Sequence, residues 1–469
     1  MEINKSKNKK LVFLLASIVA LFLIQALYLV FFQLTKADEL NNHKLNARNQ
    51  VDETLIARGT IFDRNGKELA YSKLVDGAYQ RENLYNYLYS TIIGYNSIQY
   101  GKSGLELTYN ADLLNLKHNA DIFTRLDNLF DNSEKGNDLY LTIDDKLQSY
   151  TYDLLGDKKG AVIVANPKTG AILSMVSKPS LSIKGLEDNW DEIVNSEDGL
   201  MLNRATQGLY EPGSIFKAFT SIAFLRSGMD LNYNDTGEAT IADYTVHNFD
   251  NQKYGEMDLE KALQVSSNTY FFEKSQDVTN EMFSDTLKDF GIGVDDSFPI
   301  NRNKSIFPYK KGLSNLEKGN TAFGQGEMYV TPIDMLQIAM GIANDGVVYK
   351  PYIVNKINRS NGEEVTNPKI LSDKIEKKYA ETVRKYLLST AKYNGYTLNS
   401  GQTMAGKTGT AETTNNLNNA WYLGMSPADD PKYVVIVVVE RTEQLAGRVA
   451  APIAIKTLDY IYQNNIDSN

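Results

Sequence analysis

The pattern of apolar and polar positions changes character several times along the chain. An uncharged run from Leu11 to Thr35 comes first, about 24 residues or roughly 36 Å as a helix, enough to cross a bilayer. The segment 36–57 is polar and reads as a stalk. Ala57 to Ala70, with Asn65-Gly66 between two short alternating runs, predicts a hairpin. Gly94 to Tyr109, punctuated by glycine and rich in tyrosine, reads as an irregular ordered loop. Leu139 to Asp144 predicts a strand and Lys146 to Leu155 a helix. Gly160 to Asn166 and Ala171 to Ser177 predict two strands joined by the turn Pro167-Lys168-Thr169-Gly170.

Pro212 and Gly213 interrupt the chain, and Phe216, Phe219, Ile222, Ala223 and Leu225 then recur at helical spacing. A buried helix is therefore expected to begin near Ser214. Residues 226–262 are turn-rich, and Asp235-Thr236-Gly237 reads there as a turn. Helical patterns follow over Leu259–Val265, over Thr269–Phe290 and from Pro332 to Ile342, the last with proline in its first turn. Gly346 to Ile357 reads as strand and Lys374 to Ala391 as helix. The final third supplies strands at Thr403–Ala411, Ala420–Met425 and Tyr433–Val439, then an amphipathic helix over about 451–462. Two strands near residue 165 and three near the C-terminus, with helices between, predict an α+β fold: one antiparallel sheet covered by helices.

Composition narrows the chemistry. The chain has 469 residues, room for two or three domains. A net charge of -9 argues against a nucleic-acid partner. With no cysteine there is no disulfide, no thiol nucleophile and no cysteine-ligated metal. The three histidines, His43, His118 and His247, have no metal-ligand spacing, so neither a metal nor a cofactor is expected. Lys5, Lys7, Lys9 and Lys10 precede the apolar run, and Asp38 and Glu39 follow it, which places the N-terminus in the cytoplasm and the remainder outside. No small-x-small cleavage site closes the run, so an uncleaved anchor is expected.

Three short elements carry candidate chemistry: Ser214-x-x-Lys217, Ser266-x-Asn268 and Lys407-Thr408-Gly409, separated by about 50 and about 140 residues. Alone, a Ser-x-x-Lys is a helix cap beside a solvated lysine. Together and in this order the three form the set of penicillin-binding proteins and serine β-lactamases. Ser214 supplies the nucleophile, and Lys217, one turn on and buried, its base. Ser266 can relay a proton to a leaving amine, and Asn268 can bind a substrate amide. Lys407 presents a cation, and Gly409 leaves room for an extended substrate along the strand. The hydroxyls of Thr408 and Thr410 can bind a carboxylate, and the N–H groups of Ser214 and Thr410 are the expected oxyanion hole.

On these motifs the chain resembles the class B penicillin-binding proteins, which are membrane-anchored peptidoglycan D,D-transpeptidases. Arg58-Gly59 to Ala70, Leu141-Thr142-Ile143-Asp144, Asn166 to Gly170, Asn203-Arg204-Ala205, Gly324-Gln325-Gly326 and Ala420-Trp421 are similar to landmarks of that family. Gly94 to Glu106 is similar to a subgroup of Gram-positive bacteria. Ile215 and Asn419 stand where the family commonly has Thr and His. The resemblance implies a tail over 1–10, an anchor over 11–34, a non-catalytic pedestal over 35–137 and a transpeptidase domain over 138–469. It implies D-Ala-D-Ala stem peptides as substrate, β-lactams as acylating inhibitors, D,D-carboxypeptidase turnover as a side activity, and a SEDS-type glycan polymerase as membrane partner. The rival readings are a β-lactamase, a bifunctional polymerase, and a β-lactam-binding scaffold or receptor. The first lacks a deacylating Glu-x-x-Leu-Asn element. The second lacks space, with only about 100 residues before the catalytic part. A receptor lacks a cytoplasmic output domain, and the intact motif set argues against a dead scaffold.

Overall fold

The computed structural model describes residues 2–35, 53–116, 135–295, 297–309, 312–359, 362–413 and 417–468. The expected stalk lies outside them as far as residue 52, as do His43 and His118. The first helix, Glu2–Thr35, includes Val12–Leu29 with a mean hydropathy of 2.5, and none of that window is buried against protein. Its length and composition suit a bilayer crossing.

The hairpin of residues 57–70 forms as its sequence predicts. Asp63 Oδ1 accepts the N–H groups of Asn65 and Lys67, each at 2.8 Å, and Gly66 takes φ +83°, which glycine adopts without strain. Its strands join a six-stranded sheet in the order Gly362–Val365, Val354–Arg359, Asp138–Leu141, Ile61–Phe62, Glu68–Val75 and Ala78–Asn83. Ile61–Phe62 and Asp138–Leu141 run parallel, and the remaining neighbours are antiparallel. Segments far apart in sequence thus share one sheet.

Gly94–Tyr109 is more regular than its sequence suggests. Asn96–Ser97 pairs with Gly101–Lys102, and Gly104–Thr108 is a short helix. That helix carries Glu106, 1% exposed, between the guanidinium groups of Arg58 (2.5 Å) and Arg81 (2.7 Å).

A second sheet has five strands, in the order Ala405–Glu412, Asn418–Ser426, Tyr433–Thr442, Gly160–Ala165 and Ile172–Lys178, every neighbour antiparallel. Val434 pairs with Ala165 and Val439 with Gly160. Alternate side chains enter two separate cores. Ala161, Ile163, Trp421, Leu423, Ile436 and Val438 face one core, where helices Lys217–Ser227, Pro332–Ala343 and Lys377–Tyr393 contribute Phe219, Leu336 and Leu387. Val162, Val164, Tyr422, Val435 and Val437 face the other, covered by helices Asp145–Leu155 and Ala446–Gln463 through Leu147, Val449 and Leu458. Burial on both faces explains why these strands read as continuous apolar runs. The strand Ala405–Glu412 is left at the sheet edge, beside the Ser214 turn.

Candidate active site

Ser214 lies ahead of the α-helix that its sequence predicts to begin there. Gly213–Phe216 is a tight 3-10 turn, and the α-helix starts at Lys217 and runs to Ser227. Gly213 takes φ +54°, and its N–H donates to Gly324 O at 2.9 Å. Trp421 Nε1 donates to Glu211 O at 2.9 Å. The turn is thereby fixed at both sides, with Ser214 half-buried at its rim and Ile215, Phe216 and Lys217 fully buried behind it.

Lys217 points at the second motif. Its Nζ lies 2.8 Å from Ser266 O, 2.8 Å from Asn268 Oδ1 and 3.3 Å from Ser266 Oγ. The rings of Phe271 and Phe323 stand 5.6 and 5.9 Å from the same nitrogen. Burial first, and the Lys407 charge second, hold its pKa well below that of an ordinary lysine. A neutral amine has two N–H groups, which Ser266 O and Asn268 Oδ1 can satisfy, and one lone pair left to accept a hydroxyl proton. No hydrogen bond joins Lys217 to Ser214 among the described residues.

Ser266 ends the helix Leu259–Val265 in the left-handed region, φ 57° and ψ 39°. That conformation is uncommon for a residue with a Cβ, and here it aims Oγ at both lysines. Lys407 Nζ donates to Ser266 Oγ at 2.9 Å and to Thr408 O at 3.0 Å. Burial lowers the Lys407 pKa to about 7. Asn268 spends its carbonyl on Lys217 and one amide N–H on His247 O at 3.2 Å, leaving the other N–H to donate.

The edge strand meets the Ser214 turn through glycine. A Cβ on Gly409 would stand 2.8 Å from Pro212 O and 2.9 Å from Ile215 N. The room expected there for substrate is used by the protein's own turn, which approaches the strand backbone-to-backbone. Thr410 Oγ1 accepts Ala446 N–H at 3.1 Å, so its hydroxyl hydrogen remains able to donate. All three motifs therefore converge on one place, with Ser266 Oγ as the atom both lysines share.

The sequence reading missed what holds this arrangement. Asn248 and Asp235 are buried, at 4% and 2% exposure, directly behind Ser266–Asn268. Asp235-Thr236-Gly237 is indeed a turn, since Gly237 N–H donates to Asp235 Oδ1 at 3.1 Å. Yet the carboxylate also serves as a buried hydrogen-bond hub. No local spacing signals that second use.

Known proteins are similar to this chain in sequence and fold. The model of the penicillin binding protein transpeptidase domain matches residues 160–459, and that of the penicillin binding protein A dimerisation domain matches residues 58–139. Over 466 residues the chain is 28% identical to the peptidoglycan D,D-transpeptidase PbpA of Mycolicibacterium smegmatis, covering 91% of this chain and 93% of that protein. Among solved structures, it is similar to the D,D-transpeptidase domain of a peptidoglycan glycosyltransferase from Eggerthella lenta, with 32% identity and a TM-score of 0.77 over 87% of this chain and 99% of that one. It is also similar to penicillin-binding protein A from M. tuberculosis in its imipenem acyl-enzyme complex, with 25% identity and a TM-score of 0.77 over 87% and 99% of the two chains. Because the transpeptidase model spans well over half of the sequence and takes in every residue of the converged motifs, the chain belongs to the penicillin-binding protein transpeptidases, alongside their class B members.

Proposed function

We propose that the protein is a membrane-anchored peptidoglycan D,D-transpeptidase that cross-links stem peptides through an acyl-enzyme on Ser214. One observation carries the reading: Ser266 Oγ lies 2.9 Å from Lys407 Nζ and 3.3 Å from the Nζ of Lys217, the first residue of the helix that follows the Ser214 turn. Lys217, neutral, takes the proton as Ser214 Oγ attacks the carbonyl of the penultimate D-Ala. Ser266 gives its hydroxyl proton to the departing D-Ala amine and takes in its place the proton that Lys217 has just accepted, which leaves Lys217 neutral again. An amine on a neighbouring strand then attacks the acyl-enzyme, loses its proton along the same path and frees Ser214. Water in place of that amine gives D,D-carboxypeptidase turnover.

The remaining N–H of Asn268 suits a substrate amide, and Lys407 with the Thr408 and Thr410 hydroxyls suits a terminal carboxylate. For the oxyanion, N–H groups of Ser214 and Thr410 are in keeping with the close approach of Gly213 to Thr410, whose carbonyl carbon lies 3.1 Å from where a Gly213 Cβ would stand. A β-lactam carries the same carbonyl, carboxylate and amide, and would acylate Ser214. The lysines ahead of the apolar helix support a single-pass topology with the catalytic part outside. The two family matches support a pedestal over 35–137 and a transpeptidase domain over 138–469. The resemblance to class B penicillin-binding proteins implies a separate SEDS-type polymerase as the source of the glycan strand.

Full-length protein in detergent is expected to bind a fluorescent penicillin, with the added mass mapping to the Ser214 peptide. Ser214→Ala should abolish labelling, and undiminished labelling of that variant rejects the assignment.

A further inference from the structure

The loop that carries Ser266 and Asn268 is gripped from behind by side chains from residues 235–248. Asn248 Oδ1 accepts Asn268 N–H at 2.8 Å, Ser267 Oγ at 3.1 Å, and both the N–H and Oγ1 of Thr269 at 3.2 Å. Its Nδ2 donates to Asp235 Oδ2 at 2.8 Å and to Gln252 O at 3.1 Å. Asp235 in turn accepts Thr269 Oγ1 at 2.6 Å and Tyr254 N–H at 3.0 Å. The neighbouring carbonyl, His247 O, receives Asn268 Nδ2 at 3.2 Å. Two consecutive residues thus hold Asn268 by its backbone and by its side chain. The Asn268 amide is left a single free N–H, and its direction is set by bonds at both ends of the group.

We propose that Asn248, oriented by the Asp235 carboxylate, is a positioning residue for acyl transfer. It fixes the Asn268 amide so that the free N–H meets the amide of the acyl donor. The inference rests on the transpeptidase reading above. It differs from a simple fold staple in one respect: the loss on removing Asn248 depends on whether the donor has an amide to be recognised. Misplacing a binding group by about 1 Å can cost up to roughly 100-fold in rate.

The test compares acylation of the full-length protein by benzylpenicillin, which carries an acylamino group, and by 6-aminopenicillanic acid, which has a free amine there. Asn248→Ala is expected to slow benzylpenicillin by roughly 10- to 100-fold and 6-aminopenicillanic acid at least several-fold less. Thr269→Val removes the hydroxyl that bridges Asp235 and Asn248 while keeping the side-chain shape, and should give the same selective loss at smaller size. It decides the matter if Asn248→Ala does not fold. Equal slowing with both compounds, or no slowing, in the folded variants overturns the proposal and leaves the acyl-transfer assignment standing. Failure of benzylpenicillin to acylate the unaltered protein overturns both.

Discussion

At the scale of single residues, the chemistry turns on how two buried lysines divide their protons. Two ammonium groups against one hydroxyl repel each other and are poorly solvated, so the pair is expected to carry fewer than two charges near neutrality. Burial, then Lys407, pushes Lys217 down, and burial brings Lys407 to about 7. The signs follow directly. Raising the pH through the lowered Lys217 value creates the free base, and raising it past about 7 removes the Lys407 cation that would bind a carboxylate. The second-order acylation rate should therefore be bell-shaped, with its rising limb from Lys217 and its falling limb from Lys407. Stopped-flow acylation by a penicillin across about pH 5 to 9 checks this. Lys217→Ala should lose the rising limb and slow acylation at least ~100-fold. A variant that keeps that limb would move the base role to another group.

At the scale of elements, the Ser214 turn is placed by close backbone contacts. Gly324 takes φ +90°, and a Cβ there would lie 1.9 Å from Gly213 O and 2.5 Å from its carbonyl carbon. No side-chain rotation relieves a clash with backbone, so Gly324→Ala must displace the turn. We expect it to melt lower, by an amount in keeping with about 1–3 kcal/mol of local strain, and to acylate much more slowly. Calorimetry and penicillin labelling measure the two effects. Unchanged labelling would mean that the turn tolerates movement relative to the edge strand. Gly409 belongs to the same construction: a glycine in a strand reads from sequence as space for a ligand, whereas here the neighbouring protein backbone uses that space.

At the scale of the whole molecule, an ionic cluster of Arg58, Arg81 and Glu106 lies beside the six-stranded sheet. Glu106 is 1% exposed and accepts from Arg58 and Arg81, which are themselves nearly buried. Burial opposes its ionisation most strongly, but the two guanidinium groups together outweigh that and hold the carboxyl below its usual range. Glu106→Gln leaves the buried Arg81 without its paired carboxylate and Arg58 with only Glu53 at 3.5 Å, a loss expected at about 3–5 kcal/mol. Thermal melting should fall accordingly, while folded protein at low temperature still labels with penicillin. Because the folded carboxyl pKa is depressed, its contribution is complete above the ordinary carboxylate pKa and fades as pH falls through the folded value. The gap between the parent protein and the variant should narrow in acid, and a constant gap would show that the charge is not what stabilises.

Sequence alone determined the parts whose causes are local. The long first helix follows from an uncharged apolar run, and the strands Gly160–Ala165 and Tyr433–Thr442 from β-branched runs. The hairpin at Asn65-Gly66 and the proline-led helix at Pro332 follow from backbone preferences of single residues. The order of Ser214, Lys217, Ser266, Asn268 and Lys407 was enough to suggest acyl transfer. Only the tertiary structure decided how those groups meet. It turned Lys217 toward Ser266 and Asn268, put Ser266 in a left-handed conformation between two lysine amines, and placed Asn248 and Asp235 behind them. It also folded Gly94–Tyr109 around Glu106, a residue whose partners stand 25 and 48 positions away. Periodicity and turn chemistry depend on neighbours within a few residues. Distances between such remote groups depend on how whole elements pack, and no short stretch of sequence carries that information.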